Sequence, residues 1–139
     1  MNWIVWALLS ALFAAATAIL AKVGVEGVDA NIATAVRTSV ILVFTWLVAY
    51  LFSPSAAFTV PGGRTLTFLV LSGFATGLSW LCYFRALQMG PASRVAPIDK
   101  LSVVLVIIAG WLFLGEKLTW GKGLGGVLIA AGAIAVTFG

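Results

Sequence analysis

Five apolar runs of about twenty residues follow one another along the chain, separated by charged residues and by Gly and Pro turn signals. A helix rises about 1.5 Å per residue, so roughly twenty apolar residues are needed to cross a hydrocarbon core about 30 Å thick. We therefore expect an all-α, polytopic membrane protein in which residues 1–139 form a single domain. The five transmembrane helices are predicted at about 2–21, 31–52, 65–87, 93–114 and 121–138.

The composition indicates that lipid is the solvent for most of the chain. Of its 139 residues, 63% are hydrophobic and 9% are charged, which leaves more apolar surface than a soluble domain of this size can hide from water. There is no His and a single Cys, Cys82, so the usual zinc ligand sets and an intrachain disulfide are excluded. With no nucleophile and base paired in the sequence, we expect no enzyme activity, no cofactor and no metal.

The charged residues lie mainly at the ends of the apolar runs. The net charge of +4 therefore predicts membrane-flanking residues rather than a surface for nucleic acid. Five spans place the two termini on opposite membrane faces, with three Lys and Arg residues on the N-terminal face and five on the C-terminal face. This small excess favours a cytoplasmic C-terminal face, and it is also what a chain that inserts in both orientations would show.

Three charged side chains are predicted below the C-terminal face. If the fourth helix began after Lys100, the remaining apolar run would be too short to cross the bilayer, and Arg37 lies at a similar depth. With Arg85, these groups predict a substrate or ion site in which Asp99 is the titratable carboxylate. The alternative is that the basic side chains reach the headgroups while Asp99 sits in the first helical turn. Adjacent residues of a helix point in different directions, so Asp99 and Lys100 are not expected to face one ligand.

Several other residues are candidates for the lining of this site or for helix packing. Trp80 and Tyr83 follow helical spacing and form either a pocket wall or an aromatic belt at the membrane interface. Thr17 lines the same interior or bonds to its own backbone. Pro97 is expected to kink the fourth helix or to occupy the first turn of a later-starting one. Asn31 is expected to cap the second helix, and small residues are expected to pack the fifth, among them Gly121, Gly125 and Ala133.

Three stretches resemble the second part of an EamA domain of the drug/metabolite transporter superfamily. They are RALQMGPASRVAPIDKL (85–101), FLGEKLT (113–119) and GGVLIAAG (125–132). The resemblance covers nearly the whole chain, and its most specific piece is the turn before the glycine-rich fifth helix. It implies a carrier for small organic solutes that works by alternating access. Typical members contain two such domains in inverted topology, so this one-domain, half-transporter bundle is expected to form an antiparallel homodimer.

The resemblance also limits what can be transferred from relatives. Small multidrug-resistance proteins use a carboxylate in helix one for proton coupling, and helix one has none here. Glu116 matches the family's Glu after helix four and is expected to cap the turn or to pair with Lys117 or Lys122.

The sequence as a whole predicts a secondary transporter in the plasma membrane, or in the inner membrane if the source is Gram-negative. Its expected partners are the bilayer, a small-molecule substrate and a second copy, with no nucleic acid. The alternative is a non-transporting membrane subunit packed against a partner protein. Arg37 is expected to attract a negatively charged group and Asp99 to titrate or to order the basic cluster. The substrate-binding candidates are Arg37, Trp80, Tyr83, Arg85, Asp99, Lys100 and Thr17.

Overall fold

A computed structural model of the chain describes residues 2–59 and 61–139, which form helices and turns without a β-strand. Five segments are long and apolar enough to span a membrane, as predicted. The helices are α1 (Trp3–Gly24), α2 (Ala30–Phe52), α3 (Gly63–Met89), α4 (Ala92–Asp99), α5 (Ser102–Phe113) and α6 (Trp120–Phe138), with a short 3₁₀ turn at Ser55–Ala57.

The second helix is capped by Asp29 and not by Asn31, so that prediction was wrong. The Asp29 carboxylate accepts hydrogen bonds from the backbone N–H groups of Asn31 (2.9 Å) and Ile32 (3.2 Å). An N-cap side chain satisfies donors that have no partner inside the helix. Both Asp and Asn suit this role, and the helix begins one residue earlier than predicted, at Ala30.

The fourth span is two helices, not the continuous helix predicted over 93–114. Pro97 lies inside α4, and the chain leaves α-helical geometry at Lys100 and Leu101 before α5 begins. The backbone there is held by short-range bonds, from Leu101 N to Ile98 O (3.0 Å) and from Val103 N to Lys100 O (3.0 Å). These i to i+3 bonds are tighter than those of an α-helix and mark the interruption. A proline in the first turn of a later-starting helix is therefore excluded.

The chain divides into two compact units, one formed by residues 24–88 and the other by the segments up to Val23 and from Met89 onward. In the first unit the buried residues lie near the start of α2 and the end of α3: Val25, Ala30, Thr34, Phe84 and Leu87. The Gln88 amide nitrogen donates to the carbonyl of Val28 (2.6 Å). The end of α3 is thereby joined to the turn that precedes α2.

In the second unit α6 packs along both α4 and α5. Small residues permit this approach, as expected for membrane helices. Ala133 is buried, as the predicted small-residue face requires, but the glycine buried beside α5 is Gly126 rather than Gly121 or Gly125. A β-carbon on Gly126 would lie 3.7 Å from the side chain of Ile107.

Most large apolar side chains of both units face outward. Trp3, Phe13 and Leu105 are each about two-thirds exposed or more. Water would penalise so much exposed apolar surface, whereas a hydrocarbon environment would not.

Candidate functional site

Arg37 is held against two aromatic rings within the unit formed by residues 24–88. Its guanidinium carbon lies 4.3 Å from the centroid of the Trp80 ring and 5.5 Å from that of Phe84. Both distances are within the range of a cation–π interaction, and tryptophan is its best aromatic partner. Trp80 and Phe84 are four residues apart on α3, so they present their rings on the same face of that helix.

The same cluster contains the Tyr83 phenol, which interacts electrostatically with Arg37. Arg37 lies seven residues after the first residue of α2, which is about 10 Å along the helix axis. The backbone of Arg37 therefore lies about two helical turns inside the span. We refer to Arg37, Trp80, Tyr83 and Phe84 as the Arg37 cluster.

The carboxylates of this unit do not neutralise Arg37. Asp29 is engaged as the cap of α2, and Glu26 is exposed in the preceding turn. In the described part of the chain the ion pairs are Lys100–Asp99 and Lys122–Glu116, and neither includes Arg37. The arginine is partly exposed and lies within cation–π distance of Trp80 and Phe84.

Two threonines lie close to Arg37 in the sequence of α2, and their hydroxyls bond to the backbone and not to Arg37. The buried Thr34 hydroxyl donates to the carbonyl of Ala30 (2.7 Å), and the Thr38 hydroxyl donates to that of Thr34 (2.8 Å). Such bonds to the preceding turn satisfy hydroxyls within an apolar helix. The polar groups next to Arg37 are thus already paired with backbone.

In the other unit Asp99 and Lys100 form an ion pair at the helix interruption, with 3.2 Å between Lys100 Nζ and Asp99 Oδ2. Side chains of adjacent residues are expected to diverge in a regular helix, but Asp99 is the last residue of α4 and Lys100 is its C-cap. The Asp99 side chain is 36% exposed and that of Lys100 is 57% exposed. The pair is accessible at the point where the helix is interrupted.

Two polar contacts hold the backbone near this interruption. The Thr137 hydroxyl of α6 lies 3.2 Å from the Arg94 carbonyl and 2.8 Å from the carbonyl of Ala133. The Lys22 ammonium donates to the carbonyl of Gly90 (3.2 Å), in the break that precedes α4. Backbone carbonyls near a helix end or a proline need such partners, because the helix itself no longer supplies them.

The turn between α5 and α6 uses its charged residues for structure. Gly115 adopts a left-handed conformation (φ 66°), which suits glycine at the end of a helix. The Glu116 carboxylate then accepts from Lys122 Nζ at 2.9 Å, and the Thr119 hydroxyl accepts from the N–H of Lys122 (3.3 Å). The predicted pairing of Glu116 is confirmed, with Lys122 rather than Lys117 as its partner.

The predicted site residues thus fall into two groups. Arg37, Trp80 and Tyr83 come together in one unit, where Arg85 is exposed on α3. In the other unit Asp99 and Lys100 form their ion pair, and Thr17 is half-buried in α1. Sequence reasoning missed Phe84, although its position four residues after Trp80 on the same helical face was the signal that could have identified it.

A concave surface lies near the opposite end of α2 from Arg37 and differs from the Arg37 cluster in chemistry. It is a groove of about 450 Å³ lined by Trp46, Ala49, Ser53, Ala57, Phe58, Thr59 and Pro61. None of these residues is charged. In residues 2–59 and 61–139, no group of three or more Cys, Asp or Glu side chains is placed to hold a metal ion.

The five apolar spans define a multi-pass membrane protein, and two of these spans, α2 and α3, carry the Arg37 cluster. Comparison with known proteins specifies the class further. The sequence matches the EamA-like transporter family over residues 1–138. The chain belongs to this family.

Individual relatives carry transport-related names. The chain is 54% identical over 136 residues to a protein named "uncharacterized transporter in cobO 3′ region" from Sinorhizobium sp, covering 96% of this chain and 94% of the relative. A riboflavin transporter from Rhizobium johnstonii is 33% identical over 82 residues, which are 59% of this chain and 27% of that protein.

A further relative is named as part of an assembly. The probable 4-amino-4-deoxy-L-arabinose-phosphoundecaprenol flippase subunit ArnF of Erwinia tasmaniensis is 41% identical over 70 residues, covering 49% of this chain and 55% of the subunit. No solved structure matches the chain.

Proposed function

We propose that the protein is a secondary transporter of a small organic solute that works by alternating access in the plasma membrane, with residues 1–139 acting as one domain. The observation that carries the proposal is the Arg37 cluster, a cationic group on an apolar span of a transporter-family member, which pairs with no carboxylate of residues 2–59 and 61–139. Ionisable groups inside a membrane are costly, and they usually mark a pathway for substrate or ions.

In this proposal Arg37, Trp80 and Tyr83 contact the substrate. Asp99 binds or releases the coupling proton, and its accessible pair with Lys100 is the contact that protonation would break. Arg85, Lys100 and Thr17 complete the set of side chains assigned to the pathway. The interruption between α4 and α5 supports this role, since broken helices are a common feature of transport sites.

The functional unit is proposed to be an antiparallel homodimer. Five spans per chain allow two oppositely inserted copies to form an inverted repeat, the arrangement that many transporters contain within one chain. The small charge bias of three against five is compatible with insertion in both directions. Fusion of a cytoplasm-dependent fluorescent protein or of a periplasm-dependent phosphatase to the C-terminus tests this orientation. Both fusions are expected to be active, and activity of one alone would exclude the antiparallel dimer.

Transport itself is tested with purified protein in liposomes that contain a pH-sensitive dye. Riboflavin, benzoate and phenyl phosphate are added in turn, and uptake and internal pH are followed. We expect uptake of at least one of these solutes with a linked pH change. Arg37→Ala and Asp99→Asn should each lower the rate about tenfold or more, whereas Arg64→Gln should not. Equal rates in wild type and both site variants would refute the site.

A second candidate function is a membrane subunit that does not transport alone, which is favoured by relatives named as flippase subunits. Purification from the native membrane distinguishes the two. A partner membrane protein present in stoichiometric amount, together with no uptake by liposomes containing this chain alone, would favour the subunit.

A further inference from the structure

Arg37 is held near two aromatic rings, at 4.3 Å from the Trp80 centroid and 5.5 Å from that of Phe84, and its guanidinium keeps hydrogen-bonding capacity. A guanidinium carries five N–H donors in a planar fork, and a cation–π contact is an attraction of the charge to the ring that needs no acceptor atom. Throughout residues 2–59 and 61–139, Arg37 donates no hydrogen bond to a protein acceptor and forms no ion pair. The N–H donors of Arg37 therefore have no protein acceptor in the described part of the chain, while Trp80 and Phe84 lie within cation–π distance of its charge.

We infer that the Arg37 cluster recognises an oxyanion, and that the solute is an organic carboxylate or phosphate held by paired N–H donors of Arg37. The inference rests on the proposed transport function and names its substrate class. A planar guanidinium matches two oxygens of a carboxylate or phosphate at once, and such charge-assisted pairs are stronger than neutral hydrogen bonds. An uncompensated cation in a low-dielectric span favours an anion over a neutral solute of the same shape.

Phe84 is assigned here as a positioning residue. Its side chain is 3% exposed, so its ring is fixed by packing, and it contacts the guanidinium from the same helical face as Trp80. Two rings four residues apart limit the rotation of the Arg37 plane more than one ring does. A guanidinium that is already oriented loses less conformational freedom when it binds an anion.

The test is a binding measurement on the full chain in nanodiscs of zwitterionic phosphatidylcholine. Benzoate and phenyl phosphate serve as anionic probes, and benzamide is the neutral counterpart of benzoate. Titration calorimetry is expected to show binding of one or both anions at least about tenfold tighter than that of benzamide. Equal affinity for benzoate, phenyl phosphate and benzamide would overturn the inference.

Variants test separately the charge of Arg37, its planar donor geometry and the positioning role of Phe84. Arg37→Gln should lower anion affinity about tenfold or more, and Arg37→Lys should lower it severalfold, because a lysine keeps the charge but lacks the planar pair of donors. Phe84→Leu should weaken anion binding a few-fold and leave benzamide binding unchanged. The matched controls Arg64→Gln and Phe74→Leu, which alter an exposed arginine and an exposed phenylalanine of α3, should bind as wild type. Thermal unfolding of each variant checks that it is folded, and unchanged anion affinity in folded Arg37→Gln would refute the inference.

Two further measurements identify whether the oxyanion belongs to a solute or to a lipid, and distinguish failure of the oxyanion assignment from failure of the transport proposal. The binding measurement is repeated in nanodiscs that contain phosphatidylglycerol. If benzoate and phenyl phosphate no longer bind there, the oxyanion is that of a lipid headgroup, and the assignment to a solute is refuted. Riboflavin is uncharged, so uptake of riboflavin without any anion binding would support transport and refute the oxyanion assignment. Anion binding that depends on Arg37 without uptake of any probe would support the assignment and refute transport.

Discussion

The carboxylate of Glu116 lies against Gly110. Its Cδ atom is 3.4 Å from the position that a β-carbon on Gly110 would occupy. The backbone N–H of Glu116 also donates to the carbonyl of the same glycine at 3.0 Å. The turn that closes α5 therefore folds an acidic side chain back onto the helix, and the glycine leaves the space for it.

Enlarging residue 110 should destabilise this turn in proportion to size. Gly110→Ala places its β-carbon in ordinary contact with Glu116, so we expect little change in thermal stability. Gly110→Leu must displace the carboxylate, and overpacking of this kind costs about 1–3 kcal/mol. Thermal unfolding in detergent, followed by tryptophan fluorescence, measures both variants. Gly73→Leu is the control, because a β-carbon there meets nothing within 4 Å; an equal loss in that control would contradict the explanation.

The Glu116–Lys122 ion pair should contribute modestly to stability. Its side chains are 56% and 44% exposed, and exposed pairs are usually worth about 0.2–1 kcal/mol. A double-mutant cycle with Glu116→Gln and Lys122→Gln should give a coupling energy in that range. The same cycle with Lys117→Gln in place of Lys122→Gln should give none. A larger coupling through Lys117 would mean that the turn is paired differently.

Removing the cap of α2 should loosen the helix that carries Arg37. Asp29→Ala is expected to cost about 0.5–2 kcal/mol, whereas Asp29→Ser retains a capping oxygen and should cost less. Hydrogen exchange measured by mass spectrometry should show faster exchange at the start of α2 in the alanine variant. Glu26→Ala changes an exposed carboxylate in the same turn and should leave that exchange unchanged.

The contact of Arg37 with Trp80 should be measurable in stability as well as in binding. A double-mutant cycle with Arg37→Met and Trp80→Leu is expected to give a coupling of about 0.5–2 kcal/mol, the range for cation–π contacts from exposed to desolvated sites. A cycle with Arg37→Met and Trp46→Leu is the control, since Trp46 lines the apolar groove at the other end of α2. Additive effects in the Trp80 cycle would exclude an energetic role for the contact.

The number and type of the spans could be predicted from the sequence because length and hydropathy determine them. Runs of about twenty apolar residues and the Gly and Pro signals between them located every span to within about three residues. The pairing of Glu116 was predictable for a related reason. Its partner, Lys122, lies six residues away in the first turn of α6, so no long-range information was needed.

Contacts between different helices were harder to predict. The placement of Arg37 on Trp80 and Phe84 depends on the register of α2 against α3, which periodicity within one helix does not determine. Phe84 was missed because an aromatic residue near a helix end is equally typical of an interfacial belt. Pro97 signalled a disturbance in the fourth span but did not give its position, and the interruption lies three residues later, at Lys100.

The Thr137 hydroxyl, placed between the carbonyls of Ala133 and Arg94, gives the protein a built-in spectroscopic reporter. A carbonyl that loses a hydrogen-bond donor vibrates at a higher frequency, so an isotope label on the Arg94 carbonyl would distinguish α4 joined to α6 from α4 separated from it. The stretching band of this one labelled carbonyl would then show, during turnover and without an attached probe, whether α4 and α6 move as one body.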